Sequence, residues 1–544
     1  MSVGADAVTD RLPTQSGHRG LRLPRAGKIL IRTASGGAVP LVVPALILAL
    51  WWVAADRHWM SEQVLPTPAL VWETARELFA DHLWENLWIS IQRLLLGLAA
   101  GVTAGAVLGV LMGASRRAES ILYPTFLALV QVPTLAWIPL LIMLLGLGEA
   151  LKVAVIVKAV ITPVAIHTHV GVRDTDAKLL EAARVLRLPP WRRFAVLTLP
   201  AALPAFMTGL RLGLAQSWTS LLAVELLASA EGIGFLMVWG RQLFQLDVVF
   251  VCIAVIGVVG LAMDWGFHRI DGHVVRWPRP AVGAHHSSSR TADGVSGAGA
   301  WPLILPAVLL GLWWAATAGR WVDPNFVPGP REVFTALRDG LADGSLPSSL
   351  AISLKRSACG LLIGTSLGFL SGLALGLFRP CERLFGGTLA VLRLVAIFAW
   401  LPLLTAWVGL GEESKVAFIA IACFFPMQVT TQRGVAGLSP QLAETARVLR
   451  LGWGERLRSF ILPGSAPAVF AGFRLALVYA WVGTVGAEYF MASGGGIGSL
   501  MIAAQQVFRM DMVLCGMLLI GLVAAAIAWA GTRIESLSTR WRSA

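Results

Sequence analysis

EAARVLRLPPWRRFAVLTLP, residues 181–200, carries four arginines inside a strongly hydrophobic chain. It returns 263 positions later as ETARVLRLGWGERLRSFILP, residues 444–463, with ten of twenty residues identical. Glu181, Ala182 and Ala183, matched by Glu444, Thr445 and Ala446, begin a short helix whose small side chains allow close contact with another surface. A turn is expected at Leu188-Pro189-Pro190 and at Gly452-Trp453-Gly454. A second, basic helix then runs to Pro200 and Pro463, where the next apolar run starts. An amphipathic connector lying on lipid headgroups would look similar. Two retained copies at equivalent places favour a paired docking surface.

The duplication extends outward from this segment. WW at 51–52 returns at 313–314, AWIPLL at 136–141 as AWLPLL at 399–404, GLGE at 146–149 again at 409–412, and GIG at 232–234 again at 496–498. The chain is therefore a tandem repeat with few insertions. Of its 544 residues, 56% are hydrophobic and 14% charged, against ~25% charged in soluble proteins. With 22 Trp, 3 Tyr and 56 Gly, it reads as a membrane protein. The net charge of +13 fits basic loops on one membrane face, so no nucleic-acid partner is implied.

Each half offers six apolar stretches long enough to span a bilayer. They lie near 38–56, 87–112, 121–145, 150–168, 203–228 and 248–268, then 302–319, 350–377, 384–408, 414–432, 466–491 and 512–532. The expected fold is an all-α integral membrane protein of about 12 transmembrane helices in a 6+6 parallel repeat. Its parts are a basic tail (1–37), a first six-helix domain (38–270), a flexible linker (271–300) and a second domain (301–544). Lys and Arg concentrate in the segments that a cytoplasmic N-terminus would place inside, with both termini cytoplasmic. Gly97, Gly101, Gly105, Gly109 and Gly113, and their counterparts Gly360 to Gly376, repeat every fourth residue, which lets two helix backbones approach.

The chemistry of an enzyme is missing. The five cysteines form no CxxC pair and read as small buried hydrophobes, and no metal site is expected. Gly27-Lys28 lacks the frame of a phosphate-cradling loop, so no cofactor is expected on this chain. Charges inside spans point to function by default. Glu225 and Glu488 match near the outer ends of their spans, and Arg211 and Arg474 match nearer the inner ends. Each fits either a translocation path or a structural ion pair. Lys158 faces Ile421 in the repeat and Arg393 faces Val130, so both could attract an anion in a path lined unequally by the halves. Gln131-Val132-Pro133-Thr134 against Leu394-Val395-Ala396-Ile397 adds to that inequality. Trp137 and Trp400 either face the path or pack between helices.

The repeated segment resembles the EAA signature of binding-protein-dependent ABC importer permeases. That pattern is E-A-A, three residues, G, then a hydrophobic stretch ending in L-P. The match covers Glu181, Ala182, Ala183 and Pro200, and Glu444, Ala446 and Pro463. It departs at the glycine, where Arg187 and Arg450 stand, and the neighbouring Pro-Pro and Gly-Trp-Gly are expected to break the helix instead. AWIPLL with GLGE, and VELLASAEGIG at 224–234, resemble the nitrate, sulfonate and taurine branch. The resemblance implies a type I importer permease with two subunits fused. It implies two ATP-binding subunits as partners, which use ATP themselves, a periplasmic or lipid-anchored solute-binding protein, and a location in the bacterial inner membrane. It also implies a small solute, an organic sulfur anion or nitrate, moved by alternating access. The alternative is a major-facilitator-type secondary transporter, which also has two parallel six-span halves.

Overall fold

The computed structural model describes residues 39–275 and 301–538, apart from Asn325, 440–443, 445–447 and Ala492. The expected basic tail, most of the linker, and Ala446 lie outside the described residues. Among the described residues all regular structure is helical.

The first half comprises α1 (Val39–Asp56), α2 (Pro68–Ala80), α3 (Leu83–Ala114), α4 (Arg116–Gln131), α5 (Ile138–Leu145), α6 (Glu149–Arg173), α7 (Ala177–Val185), α8 (Pro190–Ala228), α9 (Ile233–Gln242) and α10 (Leu246–Val274). The second repeats the plan as α11 (Trp301–Ala318), α12 (Pro330–Ala342), α13 (Ser345–Leu377), α14 (Arg379–Leu394), α15 (Leu401–Val408), α16 (Glu412–Ala436), α17 (Trp453–Phe490), α18 (Ile497–Gln506) and α19 (Met510–Ser538). Helix α10 runs through Val274, so residues 271–274, expected in the linker, are helical.

Among the described residues ten helices are long and apolar enough to cross a membrane. The stretches expected as third spans, 121–145 and 384–408, are not single helices. Each is a pair, α4 with α5 and α14 with α15, bent by 89° and 96°. A short 3-10 turn, Thr134–Trp137 or Ile397–Trp400, fills each corner. The bend does not need proline. Pro133 (φ −55°, ψ 148°) and Ala396 (φ −57°, ψ 135°) hold nearly the same extended backbone. Proline sets that φ by its ring, whereas alanine adopts it within the packed corner.

The glycine ladder shows which way the chain runs. A Cβ on Gly97, Gly101, Gly105, Gly109 or Gly113 would strike Ile156, Val160, Val164, Thr168 or Val172 of α6. Contacts that advance together on both helices mean that α3 and α6 are parallel. The bent pair between them must therefore return the chain across the membrane, giving six crossings per half. In the second half Gly360 to Gly376 meet Ile419, Cys423, Met427, Thr431 and Val435 in the same register. Close backbone approach is thus the function of this stripe, as the spacing predicts.

The halves clasp each other. Helix α1 packs on α14 of the second half, and α11 packs on α4 of the first. Helix α10 lies along α14, with Gly257 and Gly260 against Val395 and Leu394, and α19 lies along α4 with Gly521 against Val132. Residues from both halves share one core at the two corners, where Leu135 and Phe398 both close on Gly486. Cys252, Cys423 and Cys515 are buried as expected, whereas Cys359 is exposed and Cys381 partly so.

Candidate functional site: the paired brackets and the charged groups within the spans

Each repeated polar segment folds as a bracket between two spans. In the first, Asp176 caps α7 by accepting a bond from the Lys178 amide, which satisfies an orphan N–H. The helix ends at Val185, before the prolines. Arg187 itself takes the left-handed conformation, φ +51°, and Arg450 does the same at φ +48°. The Leu188 amide donates to the Ala183 carbonyl at 3.0 Å and the Arg187 amide to Arg184 at 2.9 Å. This is a Schellman termination, with arginine at the position that usually holds glycine. The expectation that Pro-Pro and Gly-Trp-Gly break the helix is therefore corrected. Pro190 instead opens the next helix at its first position, where a missing N–H costs nothing. The turn stays at the residue where the resembled pattern has glycine, so the bracket keeps its bend.

The basic helix and the following span are also not separate. They form one helix, α8, with a π turn at Phe194–Thr198, and α17 repeats this at Leu457–Ile461. Pro200 and Pro463 explain the π turn, because proline lacks an N–H and its ring collides with the carbonyl four residues back.

The outward surface of the bracket is apolar and exposed. Val185 is 82% exposed and Val448 81%, with Leu186, Leu449, Trp191 and Trp453 also exposed. Glu181, Ala182, Arg187, Glu444 and Arg450 are exposed beside them, while Ala183 is buried against the body. Apolar side chains ringed by charge thus form two matching exposed patches, one on each bracket.

Glu225 and Glu488 belong to a different construction. Both are fully buried, and each is surrounded by donors. Ser90 donates to Glu225 at 2.8 Å, Arg93 at 3.0 Å, and the Gly234 amide at 3.0 Å. Arg93 also donates twice to Glu149 at 2.6 Å and once to the Glu231 carbonyl. The second half repeats this with Ser353, Arg356, Glu412 and the Gly498 amide. Arg356 further donates to the Gly494 and Gly495 carbonyls at 2.7 Å. The network ties the ends of α3, α6 and α8 that lie away from the brackets to the start of α9. Gly232, at φ +104°, passes so close that a Cβ would sit 2.4 Å from the Glu225 carboxylate. Of the two readings open for these glutamates, the geometry supports the ion pair, since no carboxylate face is left for a solute. Arg93 and Arg356 were missed by the sequence reading. Their identical placement in IQRLLLG and LKRSACG was the available signal.

The remaining charges lie nearer the seam. Arg211 pairs with Asp264 at 2.9 Å and Arg474 with Glu535 at 2.7 Å. Lys158 donates to the Val132 carbonyl at 2.8 Å, at the first corner, and lies 5.9 Å from the Trp137 ring. Gln131 ends α4, and Trp137 and Trp400 close the two 3-10 turns, with their indole N–H groups buried and without a hydrogen-bond partner among the described residues. Arg393 is exposed at the end of α14. No group of three metal-ligating side chains occurs among the described residues.

Comparison with known proteins agrees with the duplicated architecture. The family model described as "Binding-protein-dependent transport system inner membrane component" matches twice, at residues 101–276 and 364–540. The chain belongs to this family. A putative aliphatic sulfonates transport permease of Bacillus subtilis is 37% identical over 241 residues, 44% of this chain and 87% of that protein. Its namesake in Escherichia coli K12 is 36% identical over 251 residues, 46% of this chain and 94% of that protein. The taurine transport system permease of the same organism is 33% identical over 239 residues, 43% of this chain and 87% of that protein. Each relative is therefore the length of one half. The permease is a fused tandem ABC importer subunit, a multi-pass membrane protein and a transport subunit, not an enzyme. Its family implies ATP-binding and solute-binding partners, and the facilitator alternative finds no support.

Proposed function

We propose that the chain forms the complete translocation unit of one importer, with each bracket seating one of two ATP-binding subunits. The observation that carries this is the pair of brackets, both terminated by a left-handed arginine and both presenting an exposed valine and leucine. Closure of the two ATPases pushes both brackets together. The continuous helices α8 and α17 relay that motion to the outer parts of the halves, which the Arg93 and Arg356 networks hold as rigid blocks. The corners at residues 132–133 and 395–396 lie between those blocks and form the gate. The chain resides in the inner membrane with both brackets and both termini cytoplasmic, and a periplasmic or lipid-anchored binding protein delivers solute to the opposite face.

The solute is an organic sulfur anion, a sulfonate, taurine or a sulfate ester, or else nitrate. Relatives named for sulfonates and taurine support this, as does Lys158 at the first corner with no carboxylate partner among the described residues. Gln131, Trp137, Lys158, Arg211, Arg393, Trp400 and Arg474 are the candidates for the path. The test is co-purification of the chain with its ATP-binding subunit, comparing wild type with Glu181→Ala/Glu444→Ala. Two ATPases per chain, and ATP-driven uptake of taurine or an alkanesulfonate that weakens in the variant, are expected. Uptake without any ATPase, abolished by collapsing the proton gradient, would overturn the reading.

A further inference from the structure

The two corners share a backbone but not their fastenings. Lys158 of α6 donates from its ammonium to the Val132 carbonyl at 2.8 Å, and the ammonium lies 5.9 Å from the Trp137 ring of the same corner. In the second half the matching carbonyl is that of Val395, and the matching side chain is Ile421, which has no donor. A charge within a span commonly settles on a backbone carbonyl, and a bond from a charged donor is stronger than one between neutral groups.

The seats of the corners differ in the same sense. Val132 rests on Gly521 of α19, and next to it the Ile520 carbonyl accepts from the Trp481 indole of α17 at 3.0 Å. Val395 and Leu394 rest on Gly257 and Gly260 of α10. There the counterpart indole, Trp218 of α8, is buried beside Gly260 and has no hydrogen-bond partner among the described residues. The ion pairs Arg211–Asp264 and Arg474–Glu535 brace both seats alike. Apolar contact also grips both corners: Leu135 and Phe398 are buried, and Phe398 lies 5.6 Å from the Phe418 and Phe490 rings. Such contact is non-directional and survives sliding, whereas a hydrogen bond fails once its distance and angle are lost. Both directional fastenings thus serve the first corner.

We propose that Lys158 is a positioning residue of transport: it holds the first corner closed, so that the second corner, at 395–396, opens more readily and is the moving side of the gate. This rests on the reading of the corners as the gate and is independent of which solute passes.

Hydrogen exchange offers a matched pair of probes. The Ala136 amide donates to the Pro133 carbonyl at 3.0 Å and the Ala399 amide to the Ala396 carbonyl at 2.9 Å, and both alanines are fully buried. Their local bonds being equal, a difference in exchange reports the opening of the corner around them. The measurement is amide exchange on the full chain in nanodiscs, read by mass spectrometry with fragmentation to single residues and corrected for intrinsic rates. Ala136 should exchange at least about tenfold more slowly than Ala399, the factor that a hydrogen bond from a charged group supplies. Lys158→Ile, which installs the residue of the other half, should bring Ala136 up to the rate of Ala399, while Lys158→Arg should keep it slow. Ile421→Lys should slow Ala399, since the corners share their backbone and the new ammonium finds the Val395 carbonyl in the same place. Equal exchange at both alanines in wild type would overturn the proposal, and so would an Ala136 rate unchanged by Lys158→Ile. Should Lys158→Ile not fold, the wild-type contrast and Ile421→Lys still decide. In the complete transporter, with its ATP-binding subunits, ATP and vanadate should speed exchange at Ala399 more than at Ala136. An equal rise at both defeats this inference alone. No rise at either defeats the gate reading and this inference with it.

Discussion

Replacing Arg356 by methionine tests whether its ion-pair network holds the second half together. Arg356 is 3% exposed in its side chain, and it makes two bonds to Glu412, one to Glu488 and two to backbone carbonyls. Methionine fills most of the same space and removes all five. Glu488 then keeps Ser353 and the Gly498 amide but loses its counter-charge while staying buried. Breaking a buried pair from one side costs about 3–5 kcal/mol. Glu412 is half-exposed and can turn to water, so the loss is concentrated at Glu488. Neutralising that carboxyl in Arg356→Met/Glu488→Gln should return about 2 kcal/mol, because glutamine still accepts from Ser353 and Gly498 and leaves no bare charge. The assay is equilibrium unfolding in mixed micelles followed by pulse proteolysis of the second half. Equal, additive losses in the two single variants, with no recovery in the double, would refute the argument that charge balance is what the network supplies.

Other outcomes follow from the same geometry. Gly364→Ala should destabilise by about 1–3 kcal/mol, since its Cβ would sit 2.3 Å from the Ala420 carbonyl, whereas Gly311→Ala, which meets nothing, should be silent in the same thermal melt. Arg187→Gly/Arg450→Gly should retain ATPase binding and relieve about 1 kcal/mol of left-handed strain per site, while Arg187→Val should weaken ATPase capture, because a β-branched residue resists that backbone. Val185→Asp/Val448→Asp should abolish ATPase capture yet leave the melting temperature of the chain unchanged, as both side chains are exposed; a lowered melting temperature would show that the patch serves the fold instead.

Much of the architecture was legible because duplication writes each signal twice. The glycine ladder announced a close helix contact without naming the partner, and the offset showed the equivalence of the brackets. Residues 121–145 make one crossing, as expected, but a sharply bent one, because hydropathy reports length and polarity but not direction. The corner at Ala396 carries no breaker at all. The break within each bracket was assigned to proline and glycine, the usual punctuation, when Arg187 and Arg450 hold the turn. Glu225 and Glu488 were found, yet their partners were not, because Arg93 and Arg356 lie about 130 residues away in sequence, and only tertiary packing joins them.

The clasp between the halves has a consequence for biogenesis. Helix α1 rests on α14, which is synthesised more than 300 residues later. During insertion α1 must wait in lipid without its partner, and its composition suits that wait: Leu46, Ile47, Leu48, Leu50 and Trp52 remain exposed even in the finished fold. Helix α11 faces no such delay, because α4 precedes it on the ribosome. Assembly is therefore ordered, and α1 gains its contacts with the second half only once α14 is complete.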